Sequence, residues 1–114
     1  MTLIYKLLPE SLWREAQAAG VFSGAGVDLA DGFIHFSTRA QVEETAARYF
    51  RGVADLLLVA VEAERLGAAL RYEPSRGGDL FPHLYGPLAL DAVAGVDAPP
   101  LRADGSHDFS GLLP

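Results

Sequence analysis

Two histidine-bearing stretches hold most of the side chains able to do chemistry. In "DGFIHFST", residues 31–38, His35 sits in an apolar run and is followed at once by Ser37 and Thr38. In "YEPSRGGDLFPHLYGPL", residues 72–88, Glu73, Arg76, Asp79, His83, Tyr85 and Gly86 lie among glycines and prolines. A helix pattern begins directly after Ser37. A helix N-terminus offers unpaired backbone N–H groups and a partial positive charge, so an imidazole beside two hydroxyls there can hold a phosphate or a ribose. The plainer reading makes His35 a histidine hydrogen-bonded within a half-buried strand and Thr38 a helix cap. Taken singly, Glu73 reads as a surface carboxylate, Tyr85 as a core or rim aromatic and Gly86 as a turn glycine. Two histidines, a tyrosine and a glutamate in two compact motifs make a site by their combination.

Lys6 is the third unusual residue, because it lies inside the apolar run "LIYKLL". A buried ammonium needs a partner or water. An edge strand would instead let it snorkel to solvent. Other chemistries find less support. His35, His83 and a carboxylate show no local ligand spacing such as H-x₃-H, so no metal site is expected. A Ser–His–Asp hydrolase lacks a glycine-flanked elbow at Ser37, and no aspartate stands out as its orienter. His107, in "DGSHDFS", is expected to be solvated.

The elements that must position these residues follow from periodicity. Residues 3–8 alternate as a strand, with Ile4, Lys6 and Leu8 on one face and Leu3, Tyr5 and Leu7 on the other. "PESLWREAQAAG" is a short helix, with Pro9 suited to its first turn and Gly20 to its stop. Leu12, Ala16 and Ala19 form its buried stripe, bordered by Trp13. Residues 20–30 are expected to be a glycine-rich loop. "GFIHFS" is a strand with Phe33 and His35 on one face and Ile34 and Phe36 on the other. "TRAQVEETAARYFRG" is the clearest helix, with Val42, Ala46, Tyr49, Phe50 and Val53 on one stripe. Thr38 and Gln41 match a capping box and set its expected start. "DLLLVAVEA" is apolar enough for a central strand. "LRYE" is a further strand, and residues 80–96 hold one or two more. Pro82 argues against a central-strand setting for His83. Residues 97–114 read as an extended, turn-rich tail along the surface. Helices come early and strands dominate late, an α+β ordering.

Composition narrows the function classes. A chain of 114 residues, half of them hydrophobic, reads as one globular domain. The absence of cysteine excludes disulfides, thiolate catalysis and sulfur-ligated zinc. A net charge of −6 without a Lys/Arg cluster makes nucleic acid an unexpected partner. The longest apolar run, "LLLVAV", is too short to span a bilayer. The N-terminus lacks a signal-peptide pattern, so the expected location is cytoplasmic, with no membrane partner.

"IYKLLPESLWREAQAAGVF", "DGFIHFSTRAQVEETAARYF" and "YEPSRGGDLFPHLYGPL" together resemble the bacterial domain of unknown function 952 family over nearly the whole chain. "DGFIHFST" and "FPHLYGPL" are the most specific parts. That family looks like a distant member of the ADP-ribosyltransferase-like fold. The resemblance implies a compact α+β domain with split, antiparallel-rich sheets and two main helices around a nicotinamide-dinucleotide cleft. "FIHFSTRAQVEETAARYF" is similar to the corresponding segment of poly(ADP-ribose) polymerases and RNA 2′-phosphotransferases. On that comparison His35 takes the place of the residue lining the nicotinamide pocket, and Ser37 that of the small residue after it. Lys6 stands where such transferases often carry a ribose-holding histidine or arginine. Glu73 is the candidate for the late glutamate that stabilises an oxocarbenium ion. The resemblance thus implies NAD or a related nucleotide as ligand and makes His35, Glu73 and His83 the catalytic candidates. Lys6, Ser37, Thr38, Tyr85 and Gly86 are the candidates for binding. The rival class is a non-catalytic binding or homo-oligomeric interaction module, in which the histidine motifs brace loops against the sheet.

Overall fold

The computed structural model describes residues 1–114. The chain runs β1 (Leu3–Pro9), α1 (Glu10–Ala19), β2 (Val21–Phe22), α2 (Val27–Asp31), β3 (Ile34–His35), α3 (Val42–Tyr49) and β4 (Leu56–Glu62). It then continues through β5 (Leu70–Pro74), β6 (Leu80–Leu84), β7 (Leu88–Ala89) and β8 (Val93–Asp97). Every strand pair is antiparallel. One sheet has the order β1-β4-β8, a second β3-β6-β5, and β2 pairs with β7. This is an α+β fold with split antiparallel sheets and few helices, as the order of the segments suggests.

The central sheet separates two cores. Ile4 and Leu8 of β1 join Leu57, Val59 and Val61 of β4 in the larger one, with Trp13 and Ala16 of α1 and Ile34, Phe36 and Leu84 of the second sheet. The alternate residues Tyr5, Leu7, Leu56 and Leu58 meet Val42 and Ala46 of α3 and Phe109 of the C-terminal segment. The period-2 pattern of β1 and β4 is therefore used on both faces, which explains why β4 reads as continuously apolar. Tyr5 and Ser37 exchange two backbone hydrogen bonds of 2.8 Å, joining the edge of the central sheet to the second sheet.

Several expectations need correction. Residues 20–30 are not simply a loop: they supply β2 and the start of α2. Gly32, at φ +84°, closes α2 and turns the chain into β3. The third helix starts at Val42 and not at Thr38. Residues 38–41 form a turn, in which Gln41 Oε1 accepts from Thr38 N–H at 3.0 Å. This is half of a capping box, since the Thr38 hydroxyl caps nothing. Tyr49, placed on the buried stripe, is 65% exposed. On α1 the buried positions are Trp13 and Ala16, while Ala19 is exposed.

His83 lies in β6, the central strand of its sheet, despite Pro82. The Pro82 carbonyl accepts from Phe36 N–H, but the reciprocal bond to the Phe36 carbonyl is missing for want of a proline N–H, and β3 ends at His35. Residues 80–96 contain three strands instead of one or two. His107 is buried, not solvated, and contacts the Val53 carbonyl through Nε2 at 2.7 Å.

Candidate functional site

The site grows from one face of the second sheet. On β3 and β6, His35 pairs directly with His83. Side chains directly opposite share a face, and so do residues two apart along a strand. Phe33 and His35, Phe81, His83 and Tyr85, and Arg71 and Glu73 therefore collect on this face, opposite the core-facing Ile34, Phe36 and Leu84. The Phe33 ring packs against both imidazoles, with centroids 4.5 Å from His35 and 4.2 Å from His83. The two imidazole centroids are 5.4 Å apart. The two sequence motifs thus meet.

Each histidine is held by carboxylate. His35 Nδ1 lies 2.6 Å from Asp28 Oδ1, and its Nε2 lies 3.0 Å from Asp31 Oδ2. Ionised carboxylates only accept, so both contacts are hydrogen bonds when the ring carries both protons. His83 Nδ1 lies 2.8 Å from Glu73 Oε1, which also accepts from the Tyr85 hydroxyl at 2.7 Å. Those bonds, from Tyr85 first and then His83, hold the Glu73 carboxyl below its ordinary range. The same contact pushes the Tyr85 phenol up. His83 Nε2 has no protein partner.

Asp28 organises the first half of the site. It accepts from Lys6 Nζ, from the backbone N–H groups of Ala25 and His35, and from the His35 ring. Lys6 also donates to the His35 carbonyl at 3.0 Å. Lys6 is thus buried and paired, not snorkelling. Burial lowers the Lys6 pKa against the opposing pull of Asp28. For Asp28, burial alone acts upward. The Lys6 ammonium and the Lys6 and His35 hydrogen bonds outweigh it and leave the carboxyl below its ordinary range. A depressed carboxylate stabilises the fold fully above its unfolded pKa, about 3.9, and loses that contribution as pH falls through the lower folded value. The wild-type urea midpoint should therefore drop below about pH 4, and in Asp28→Asn, less stable at neutral pH, it should vary less over the same interval.

A cavity of about 390 Å³ opens at the seam between the two sheets. His35, His83, Lys6 and Ser37 line it with Tyr5 and Arg76. Tyr49, Phe50 and Phe81 add aromatic walls. Glu73, Tyr85, Thr38 and Gly86 do not line it. Glu73 meets it through His83. Ser37 Oγ contacts Thr45 Oγ1 at 3.0 Å and makes no bond to His35, so no serine relay exists.

The sequence reading missed Asp28, Asp31 and the role of Arg76. A lone lysine in an apolar strand calls for a carboxylate, and Asp28, Asp31 and His35 stand at i, i+3 and i+7. That spacing was the available signal.

The model of a family described as "protein of unknown function" (DUF952) matches residues 7–96. The chain belongs to the DUF952 family. Solved structures carry the same fold: the crystal structure of protein CC0527 from Caulobacter crescentus is 53% identical, with a TM-score of 0.92 and 96% of each chain covered. The solution NMR structure of CC0527 is also 53% identical, with a TM-score of 0.87 over 99% of this chain and 97% of that one. No curated protein matches. Within this DUF952 chain, no helix is long and apolar enough to cross a membrane.

Proposed function

We propose that the cavity binds NAD or a related nucleotide, in an ADP-ribosyltransferase-like domain. The observation that carries the reading is the meeting of His35 and His83 on one cavity wall, each braced by a carboxylate. The volume lies in the range of small-molecule and cofactor sites. Tyr49, Phe50 and Phe81 line the cavity with aromatic rings and Arg76 adds a guanidinium, while Lys6 stands in the wall as half of an ion pair with Asp28.

ADP-ribosyl transfer is the extension of this reading. Cleavage of the nicotinamide–ribose bond sends the bond pair out with nicotinamide and leaves an electron-poor ribose. Negative potential stabilises that cation, and in this chain Glu73 supplies it through His83. His83 Nε2, free while Nδ1 faces Glu73, is placed to take the proton of an acceptor hydroxyl. A phosphoryl acceptor would use the same groups.

A second reading, a non-catalytic binding or interaction module, draws on His35, whose two ring nitrogens both face carboxylates. Ligand binding separates the two. NAD at ten times its Kd should stabilise the wild type by about 1.4 kcal/mol, a rise in Tm of about 5 °C. His35→Ala should abolish that rise, whatever its own Tm. No rise at millimolar NAD in the wild type would sink the nucleotide reading.

A further inference from the structure

The histidine-bearing sheet ends at β5, and the outer edge of that strand carries groups that nothing in the chain uses. β5 pairs with β6 in the register Arg71↔His83, Tyr72↔Pro82 and Glu73↔Phe81. Along an antiparallel strand the backbone groups point alternately to one neighbour and the other. The Pro82 carbonyl points to β3, where it accepts from Phe36 N–H. Phe81 and His83 therefore bond to Glu73 and Arg71, while the N–H and C=O of Tyr72 point away from β6. Neither has a partner elsewhere in the chain. The residues flanking it on that edge differ. Leu70 N–H donates to the Gly67 carbonyl, and Pro74 has no N–H. Tyr72 is thus the one residue of β5 with both backbone groups free for another strand, and it is 45% exposed. Its neighbours carry unused charge. Arg71 is exposed, with its guanidinium 5.1 Å from the Tyr85 ring centroid. Glu73 serves His83 and Tyr85 through Oε1 alone, which leaves Oε2 without a partner.

We infer that β5 is an interface with a second copy of this chain, the two strands running antiparallel about a two-fold axis at Tyr72. The order Arg-Tyr-Glu is its own complement in that arrangement. Tyr72 exchanges two backbone hydrogen bonds with the partner's Tyr72. Arg71 lies directly opposite the partner's Glu73, and Glu73 opposite the partner's Arg71. These charge pairs fall at non-hydrogen-bonded positions, where opposed side chains come closest. Charges on a sheet edge ordinarily keep other strands away. Here they select one partner and one register. A slip to the next hydrogen-bonding register sets Arg71 against Arg71 in one direction and Glu73 against Glu73 in the other. Strands paired this way keep their faces, so both histidine sites lie on the same side of a continuous six-stranded sheet. The partner's Arg71 then meets the free Oε2 of the Glu73 that braces His83. The inference rests on neither reading of the cavity.

Sedimentation equilibrium of the full chain, from about 10 μM to about 1 mM, tests the interface. The wild type should dimerise reversibly in this range. Arg71→Glu sets like charges opposite each other on both sides of the axis and should raise the dimer Kd at least about tenfold. Glu73→Arg should do the same with the opposite sign. Mixed in equal amounts, the two variants should pair with each other, because one offers two carboxylates and the other two guanidiniums. Glu73→Arg also removes the brace on His83, so a second readout covers the case in which it does not fold. Hydrogen exchange at the Tyr72 amide should slow as the wild-type concentration rises, and should not slow in Arg71→Glu. A wild type that stays monomeric at about 1 mM overturns the interface. A dimer that Arg71→Glu leaves intact overturns it too, and puts the contact on another surface, such as the edge strand β8. Two folded variants that stay monomeric when mixed overturn the two-fold register. A Tyr72 amide that exchanges at the same rate in monomer and dimer overturns the backbone pairing.

Discussion

Asp28→Ala should be the most damaging single substitution in the site, costing about 3–5 kcal/mol of folding stability. The Asp28 side chain is 1% exposed and that of Lys6 10% exposed, with Nζ 2.8 Å from Oδ2. Removal of the carboxylate leaves an ammonium in the interior with one carbonyl for company. It also strips acceptors from two backbone N–H groups and from the His35 ring. A domain of this size has only about 5–15 kcal/mol in total, so the variant should lie near the edge of folding. The cause can be isolated. Lys6→Met added to Asp28→Ala removes the stranded charge, so the double variant should be more stable than Asp28→Ala alone. Urea midpoints for the four proteins of the cycle give the coupling. If Asp28→Ala lies within about 0.5 kcal/mol of wild type, where ordinary surface changes fall, the pair does not hold the site.

Phe109→Ala should cost about 3–5 kcal/mol, the range for truncating a buried aromatic. Phe109 is 6% exposed and packs in the same core as Tyr5, Leu7, Leu56 and Leu58. The segment that carries it is anchored by the His107 contact to Val53 and by Gly52 N–H donating to the Gly105 carbonyl at 2.9 Å. Ser110, one residue on, is exposed. Ser110→Ala should therefore stay within about 0.5 kcal/mol of wild type. If chemical denaturation gives equal midpoints for the two variants, the C-terminal segment does not close the second core.

What could be read in the sequence tracks how many residues carry each signal. α1 was legible because Pro9 and Gly20 bracket it, and β4 because six apolar residues stand together. β2, β3 and β7 are two-residue strands, too short to show a period of two. β3 was found only within the longer alternation of "GFIHFS". α2, with five residues, is little more than one turn, and glycines around it read as loop. β6 was obscured by Pro82, whose missing donor costs one rung beside Phe36 while the pairing with β5 runs on past it. The burial of Phe109 and His107 depends on contacts with residues about fifty positions away, which no local pattern encodes. The site followed the same rule. His35, His83, Glu73 and Tyr85 announced themselves by type and crowding. Asp28 did not, because its role exists only once Lys6 and His35 are brought to it from two strands.

The pairing of Tyr5 with Ser37 has a mechanical meaning. The central sheet and the histidine-bearing sheet are stitched along their backbones at this one rung, and both residues line the cavity. The rung does not act alone, because the core shared by Ile4, Leu8, Ile34, Phe36 and Leu84 and the bond from Lys6 to the His35 carbonyl lock the same seam. The cavity wall is thus one fixed surface built from two sheets.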